Sequence, residues 1–482
     1  MISLRPVIFV LGIFLLILSA FMLIPIVVDL YFHNPDWQIF LMCMIITAFF
    51  GGAMALSCAF RRNFTINVRQ GFLMTTGAWI VLSAFSALPL WLSELNISAT
   101  DAVFEAVSGM TTTGASILEN IESAPPGILI WRAVLQWLGG IGIIVTAMSI
   151  LPFLGVGGMQ LFRTESSENE KALPRAAQLA SSIGLVYLGL TILCALGYGM
   201  AGMTTFNAIA HAMTTIATGG YSTINTSFEA FNNAWREIIA IIFMFAGALP
   251  FILYLKAVSG NIRPLLKNAQ VRFFIGAILV GIIILSIYVY TATPMGVLET
   301  LRRSAFSVVA IITTTGYSNA GYDNWGAFAI AFFFFLMVIG GCAGSTACGI
   351  KIFRFQILFS VIRAQLKQTL YPNAKFTAHY NGRPIPAGVP TAVISFLFLY
   401  ALCFAVLACL LSMTGLNFIT ALSGAAASIS NIGPGLGPMI GPEGTYQSLN
   451  DAAKWLLSAG MILGRLELLT VLVLFTPHFW RI

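Results

Sequence analysis

Apolar residues run along this chain in stretches of about the 20 residues that a helix needs to cross the hydrocarbon core of a bilayer, and polar residues are confined to short breaks between them. The stretches include 7–31, 38–60, 71–94, 128–155, 235–258, 271–293, 325–345, 387–412 and 455–477, and each predicts a spanning helix. Four further apolar segments are too short to cross: 101–110, 206–215, 299–312 and 417–429. Runs of roughly 10–14 residues read as re-entrant or interfacial half-helices. The opening stretch is too long for a signal-peptide core and lacks a small-x-small cleavage site, so it is read as the first span.

Each short segment leads into a glycine-containing turn: TTTGAS at 111–116, IATGGYS at 216–222, TTTGYS at 313–318 and SNIGPG at 430–435. The order span, half-helix, turn, span therefore occurs four times, and 7–31 and 38–60 stand outside it as a leading pair. The predicted fold is all-α and integral to the membrane, with about ten spans and four repeats around a central pore. The boundaries are 1–65 for the leading pair and 66–165, 166–265, 266–380 and 381–482 for the repeats, the third holding a Gly-rich intramembrane loop.

Non-helical backbone cannot face lipid, because each unpaired amide or carbonyl there costs several kcal/mol, so four such turns must converge inside protein or beside water. Glycine leaves carbonyls free to aim at one axis, and a ring of carbonyls in place of a hydration shell is how a potassium filter works. The expected ion-binding residues are Thr112, Thr113 and Gly114; Ala217, Thr218 and Gly219; Thr314, Thr315 and Gly316; and Asn431, Ile432 and Gly433. Half-helices pointing their C-termini at the axis would add negative dipole density for a cation. Asp101 and Glu105 stand early in the first half-helix, where capping its positive end competes with a direct role at the ion. His211 lies close to the second turn and reads as a packing residue.

Two further features sit at membrane depth. The run from Gly340 through Gly341, Gly344, Ser345 and Thr346 to Gly349 breaks what should be the second span of repeat three, since glycine costs about 1 kcal/mol relative to alanine in a helix. Close small-residue helix packing is the competing reading. Lys351 follows and would mark the cytoplasmic exit. Arg465 and Glu467 lie in the last apolar stretch, where a central Arg costs about 2.5–3.5 kcal/mol and so calls for a cavity or a partner. A pair between the two is disfavoured, because i and i+2 do not face each other on a helix.

Composition agrees with membrane as the solvent: 58% of residues are hydrophobic and 9% charged, against about 25% charged in soluble domains. The net charge of +7 does not point to nucleic acid, because the basic residues fall in alternate connections. Arg5; Arg61, Arg62 and Arg69; Arg163, Lys171 and Arg175; Lys256, Arg263, Lys267 and Arg272; Lys351, Arg354, Arg363, Lys367, Lys375 and Arg383; and Arg481 place both termini in the cytoplasm. The other loops carry Glu119, Glu122, Glu229, Asp323, Glu443 and Asp451, an acidic outer face suited to cations. Cys43, Cys58, Cys194, Cys342, Cys348, Cys403 and Cys409 show no metal-binding spacing and read as small buried hydrophobes. His33, His211, His379 and His478 form no HExxH or other catalytic spacing, so no enzyme is expected; a potassium/sodium or potassium/proton symporter is the main alternative to a channel.

The motifs SGMTTTGAS at 108–116, QWLGGIGIIV at 136–145, LPFLGVGGMQL at 151–161, GGCAGST at 340–346, NIGPGLGP at 431–438 and GRLELLTVLVLFTPHFW at 464–480 cover nearly the whole chain. On them the sequence resembles the Trk/Ktr/HKT potassium transporter superfamily, and within it the bacterial TrkH branch. The resemblance implies a homodimer in the bacterial inner membrane, each protomer with its own pore, and a cytoplasmic TrkA-like ring that carries the only nucleotide. It implies that the Gly340–Gly349 loop and Arg465 form a gate beneath the filter. All four filter glycines are present, as in potassium-selective members; plant relatives with Ser for the first favour sodium. One departure is Ala347 and Cys348, where the family continues with further glycines.

Overall fold

The computed structural model describes residues 3–58, 67–149, 172–231 and 233–481. The 151–161 motif, Arg61, Arg62, Arg163 and Lys171, and the repeat boundaries at 65 and 165 lie outside the described residues, as does the side chain of Arg175. The described residues are helical apart from loops and one two-stranded ribbon, His379–Tyr380 with Arg383–Pro384, in the long polar connection.

Among the described residues seven helices are long and apolar enough to cross: Arg5–Tyr31, Trp37–Ser57, Val68–Leu92, Pro126–Thr146, Gln178–Met200, Ala269–Ala292 and Val389–Met413. Two more crossings are bent pairs, Ala234–Gly247 with Phe251–Val258 at 98° and Asp451–Arg465 with Leu469–Phe475 at 105°. The ten-residue helix Ala327–Leu336, continued by a buried loop, stands in the place of the remaining second span. The stretches 235–258 and 455–477 are thus not straight spans. Pro250 follows the first break, and in the second Glu467 and Leu468 take φ of 58° and 50°, a left-handed turn that no helix can pass through.

The short segments fold as expected, Ala99–Met110, Thr205–Ile216, Val297–Ile312 and Phe418–Ser430. Side chains of Ser98, Thr204 and Asn417 accept from amides of the first turns of three of them, which sets where each begins. The first spans of repeats two to four are peripheral, with 22–28% of their apolar windows buried, whereas the second span of repeat one, Pro126–Thr146, is 72% buried. Lipid-facing residues such as Ile283, Ile287, Leu193 and Phe398 are accordingly exposed on the outer helices. The half-helices of repeats one, two and three pack against the second helices of repeats four, one and two in turn, which carries the chain around an axis. The leading pair crosses at Gly12 and Gly51, where a Cβ on Gly51 would lie 2.9 Å from the Gly12 carbonyl oxygen.

Candidate functional site

At the end of each half-helix the chain turns the same way. Thr112, Thr218, Thr314 and Asn431 adopt φ of 53°, 50°, 60° and 53°, the left-handed conformation that ends a helix. The next amide reaches back five residues in three of them: Thr113 to Ser108 O, Gly219 to Thr214 O and Ile432 to Ala427 O, each at 2.9 Å. The helix C-termini therefore run directly into the turns, their negative ends toward the axis.

These dihedrals fix the register in repeat two, and it differs by one from the expected triplet. Thr218, not Ala217, is equivalent to Thr112, and Gly220, not Gly219, to Gly114 and Gly316, whose φ values are 80°, 85° and 78°. Sequence reading missed Gly220; the signal was the doubled glycine of IATGGYS. The equivalent glycines close a ring. A Cβ on Gly114 would run into the Gly219 carbonyl, one on Gly220 into the Thr315 carbonyl, one on Gly316 would lie 3.0 Å from Gly433 N, and one on Gly433 2.7 Å from Gly114 O. Repeats one, two, three and four thus abut backbone to backbone, and only glycine permits that approach.

Gly114, Gly220, Gly316 and Gly433 together floor a vestibule of about 140 Å³. Glu119 and Glu443 line its walls. Asp323 stands behind it, with a Cβ on Gly441 only 2.7 Å from Asp323 Oδ2. Burial pushes the Asp323 carboxyl above the usual carboxylate range; its own amide and that of Asn324 oppose the shift, and neighbouring Glu443 adds to it.

Behind the ring stand buried polar groups. Asp101 is bonded by Lys454 at 2.5 Å and by Ser98, so its end of the half-helix is tied to repeat four. Glu105 neither caps that helix nor meets the axis. It accepts from Arg132 Nε at 2.7 Å and from the Ile117 amide at 2.9 Å. Its repeat-two counterpart, counting from Thr112 and Thr218, is His211, fully buried between Asn207 O at 2.8 Å and Ser222 Oγ at 3.1 Å. Among the described residues no three His, Cys, Asp or Glu side chains are arranged to hold a metal ion.

Below the ring the segment from Gly340 to Gly349 is irregular and largely buried, opened and closed by a bridge between Ile339 and Ile350. Its groups satisfy the carbonyls left free by the bend of the second helix of repeat two. Cys342 N donates to Ala248 O at 3.1 Å, and Thr346 to Gly247 O through its amide at 3.3 Å and its hydroxyl at 2.9 Å. Thr346 Oγ1 also lies 3.1 Å from Ile216 O and from Thr218 Oγ1, and Cys348 N donates to Thr314 Oγ1 at 2.8 Å. Ser345 Oγ donates to Cys342 O at 2.7 Å, and Phe251 N to Gly344 O at 2.9 Å.

Arg465 ends the helix Asp451–Arg465 and points into this loop. Nη1 donates to Thr346 O at 3.0 Å and to Cys348 Sγ at 2.6 Å, and Nη2 to Gly139 O at 3.0 Å. Glu467 pairs not with Arg465 but with Arg354, whose guanidinium also stacks 3.8 Å over Phe396. Lys351 does not mark an exposed exit: it is buried and donates to the Ala347 carbonyl. Of the cysteines, Cys43, Cys194, Cys342 and Cys348 are buried, Cys58 and Cys403 half-buried, and Cys409 exposed on an outer helix.

The TrkH family profile, described as "Cation transport protein", matches residues 36–482. The chain is 43% identical over 481 residues to the Trk system potassium uptake protein TrkI of Halomonas elongata, covering 99% of this chain and 97% of that one. It is 36% identical to TrkH of Escherichia coli K12, covering 99% of both chains. The crystal structure of the potassium transporter TrkH from Vibrio parahaemolyticus matches with a TM-score of 0.92 at 35% identity over all of both chains. This chain therefore belongs to the TrkH family of cation transport proteins.

Proposed function

We propose that this protein takes up potassium across the bacterial cytoplasmic membrane through a filter of backbone carbonyls. The filter is made by Thr112-Thr113-Gly114, Thr218-Gly219-Gly220, Thr314-Thr315-Gly316 and Asn431-Ile432-Gly433. The observation that carries the reading is the closed ring of glycine contacts beneath an acidic vestibule, with four helix C-termini aimed at it. The relatives named as potassium uptake proteins supply the ion. Potassium is substrate here, held as it passes.

The Gly340–Gly349 loop and Arg465 are the gate. In their bonded arrangement they place a cation and packed backbone directly under the filter, a steric and an electrostatic bar together. Both termini are cytoplasmic. The basic connection that carries exposed Arg363, Lys367, Lys375 and Arg383 is the surface for a TrkA-like nucleotide-binding regulator, and the working unit is a homodimer. A channel is favoured over a symporter because the buried acids of the four repeats, Asp101, Glu105, Glu237 and Glu467, are each paired with a base and so are not free to carry a coupling proton or sodium, while Asp29 and Asp36, which have no such partner among the described residues, stand in the leading pair outside the repeats. Potassium flux through purified protein in liposomes tests this. Uptake that follows the potassium gradient alone supports the channel; a reversal potential that moves with sodium or pH at fixed potassium overturns it in favour of symport.

A further inference from the structure

The apolar helix Pro126–Ser149 carries one guanidinium, Arg132, at the level of the filter, 1% exposed. Its planar head spans both flanking repeats. Nε meets Glu105 at 2.7 Å and Nη2 meets Ser116 Oγ at 3.1 Å in repeat one, while Nη1 meets Ser222 O at 3.1 Å in repeat two. The Glu105 carboxylate passes the hold on to the Ile117 amide and Ser116 Oγ, just past the filter glycine Gly114. One turn along the same helix, Gln136 grips the second filter segment, donating to Gly219 O at 2.7 Å and accepting from Tyr221 N at 3.1 Å. Tyr221 closes the frame. Its ring lies 4.1 Å under the Arg132 guanidinium, and its hydroxyl donates to Glu105 O at 2.8 Å.

We propose that Arg132, held by Glu105, is a selectivity-determining positioning residue that fixes the spacing between the filter segments of repeats one and two. The inference rests on the filter reading above. Three arguments carry it. Counting from the left-handed residues, the positions equivalent to Glu105 are His211, Ser307 and Gly424, so this half-helix position holds a carboxylate in repeat one alone, and repeats two and three are joined differently, through Glu237 with Arg302 at 3.5 Å and Asn319 at 2.8 Å. Burying an ion pair is costly, and an apolar pair of like volume is commonly as stable, so stability by itself gives little reason for it here. The acceptors also lie on two chain segments whose separation sets the width of the carbonyl ring, and a forked guanidinium can hold both at once where an ammonium acts as a single point charge.

That last contrast supplies the test. Arg132→Lys keeps the charge opposite Glu105 but cannot reach Ser116 and Ser222 together, and Tyr221→Phe removes only the hydroxyl from the frame. Purified variants in liposomes are compared for the potassium-to-sodium permeability ratio, beside Gly114→Ser as a direct change to the filter. A ratio lowered about three- to tenfold in both, the size that a lost hydrogen bond accounts for, with thermal stability near that of the parent, is the expected result. A merely structural role would alter yield or melting and leave the ratio of the folded protein alone. If Gly114→Ser shifts the ratio and Tyr221→Phe and Arg132→Lys do not, the positioning role is refuted while the filter stands. If none of the three shifts it, the filter reading itself fails. Should Arg132→Lys not fold, Tyr221→Phe decides by the same criterion.

Discussion

Arg465 donates to the carbonyl oxygen of Thr346 at 3.0 Å, so the guanidinium at the break of the last inner helix is fastened to the loop that lies across the axis. The loop is held from the other side as well, through the Thr346 hydroxyl at Gly247 O and Ile216 O. In the proposed gate, that bonded arrangement is the closed one.

Removing either attachment raises basal potassium flux. Each net hydrogen bond contributes about 0.5–1.5 kcal/mol, more when a charge is involved, so Arg465→Ala or Thr346→Val shifts the closed-to-open balance by roughly ten- to a hundredfold. Selectivity is retained, because the glycine ring is closed by its own backbone contacts and meets the loop only through the side chains of Thr218 and Thr314. Flux per folded protein at or below the parent level in both variants would show that the contacts serve packing alone.

The two glycines of the second turn respond differently. Gly220 combines a φ of 80° with a Cβ path into the Thr315 carbonyl, whereas Gly219 has no positive φ and its Cβ would meet the side-chain amide of Gln136 and not backbone. Gly220→Ala therefore meets fixed backbone and strain of about 1–3 kcal/mol. It lowers the potassium-to-sodium ratio more than Gly219→Ala does, as does Gly316→Ser in the third turn. Permeability ratios from reversal potentials check the order, and a larger loss at Gly219 reverses the register.

Glu467→Ala destabilises the fold, and Arg465→Ala does so far less. Glu467 answers the buried Arg354, and stripping one partner from a buried pair costs about 3–5 kcal/mol. Arg465 has carbonyl and thiol partners instead, so its loss leaves no buried acid unpaired. Thermal melting in detergent separates the two; equal losses would contradict the pairing.

Acid outside the cell slows uptake. The Asp323 carboxyl, raised by burial and by Glu443, takes up its proton at a higher pH than an ordinary aspartate as the medium is acidified. The mouth then loses a negative charge that concentrates cations. Influx at low salt falls as the external medium is acidified, starting at a higher pH than an ordinary aspartate would set, and salt screening or Asp323→Asn flattens the response. The same shift means that protonated Asp323 favours the folded loop, a contribution that disappears as pH rises through the raised value.

The half-helices were legible within about two residues, because short apolar runs ending in glycine turns have few alternatives in lipid. The bends at 247–250 and 465–469 were not. An apolar run reads the same straight or folded, and Pro250 alone among these residues announced a break. Glu467 was readable as a buried acid but not as the partner of Arg354, since 113 residues separate them and only packing joins them. Arg132 passed unremarked although a lone arginine within 128–155 was as strong a sign as Arg465. The glycines of 340–349 announced an irregular segment at membrane depth, while its fastening depends on carbonyls, which sequence does not display.

Those carbonyls tie the gate to water. Gly247 O and Ile216 O now accept from Thr346, and the guanidinium of Arg465 is wrapped by Thr346 O, Gly139 O and the Cys348 thiol. Withdrawing the loop leaves Gly247 O, Ile216 O and Arg465 Nη1 without these partners, and solvent takes their place, while Nη2 keeps Gly139 O. Opening therefore hydrates the axis as it clears it, and the open pore is the state that binds more water. Solutes excluded from the protein surface, which lower water activity without touching the filter, accordingly draw the loop shut.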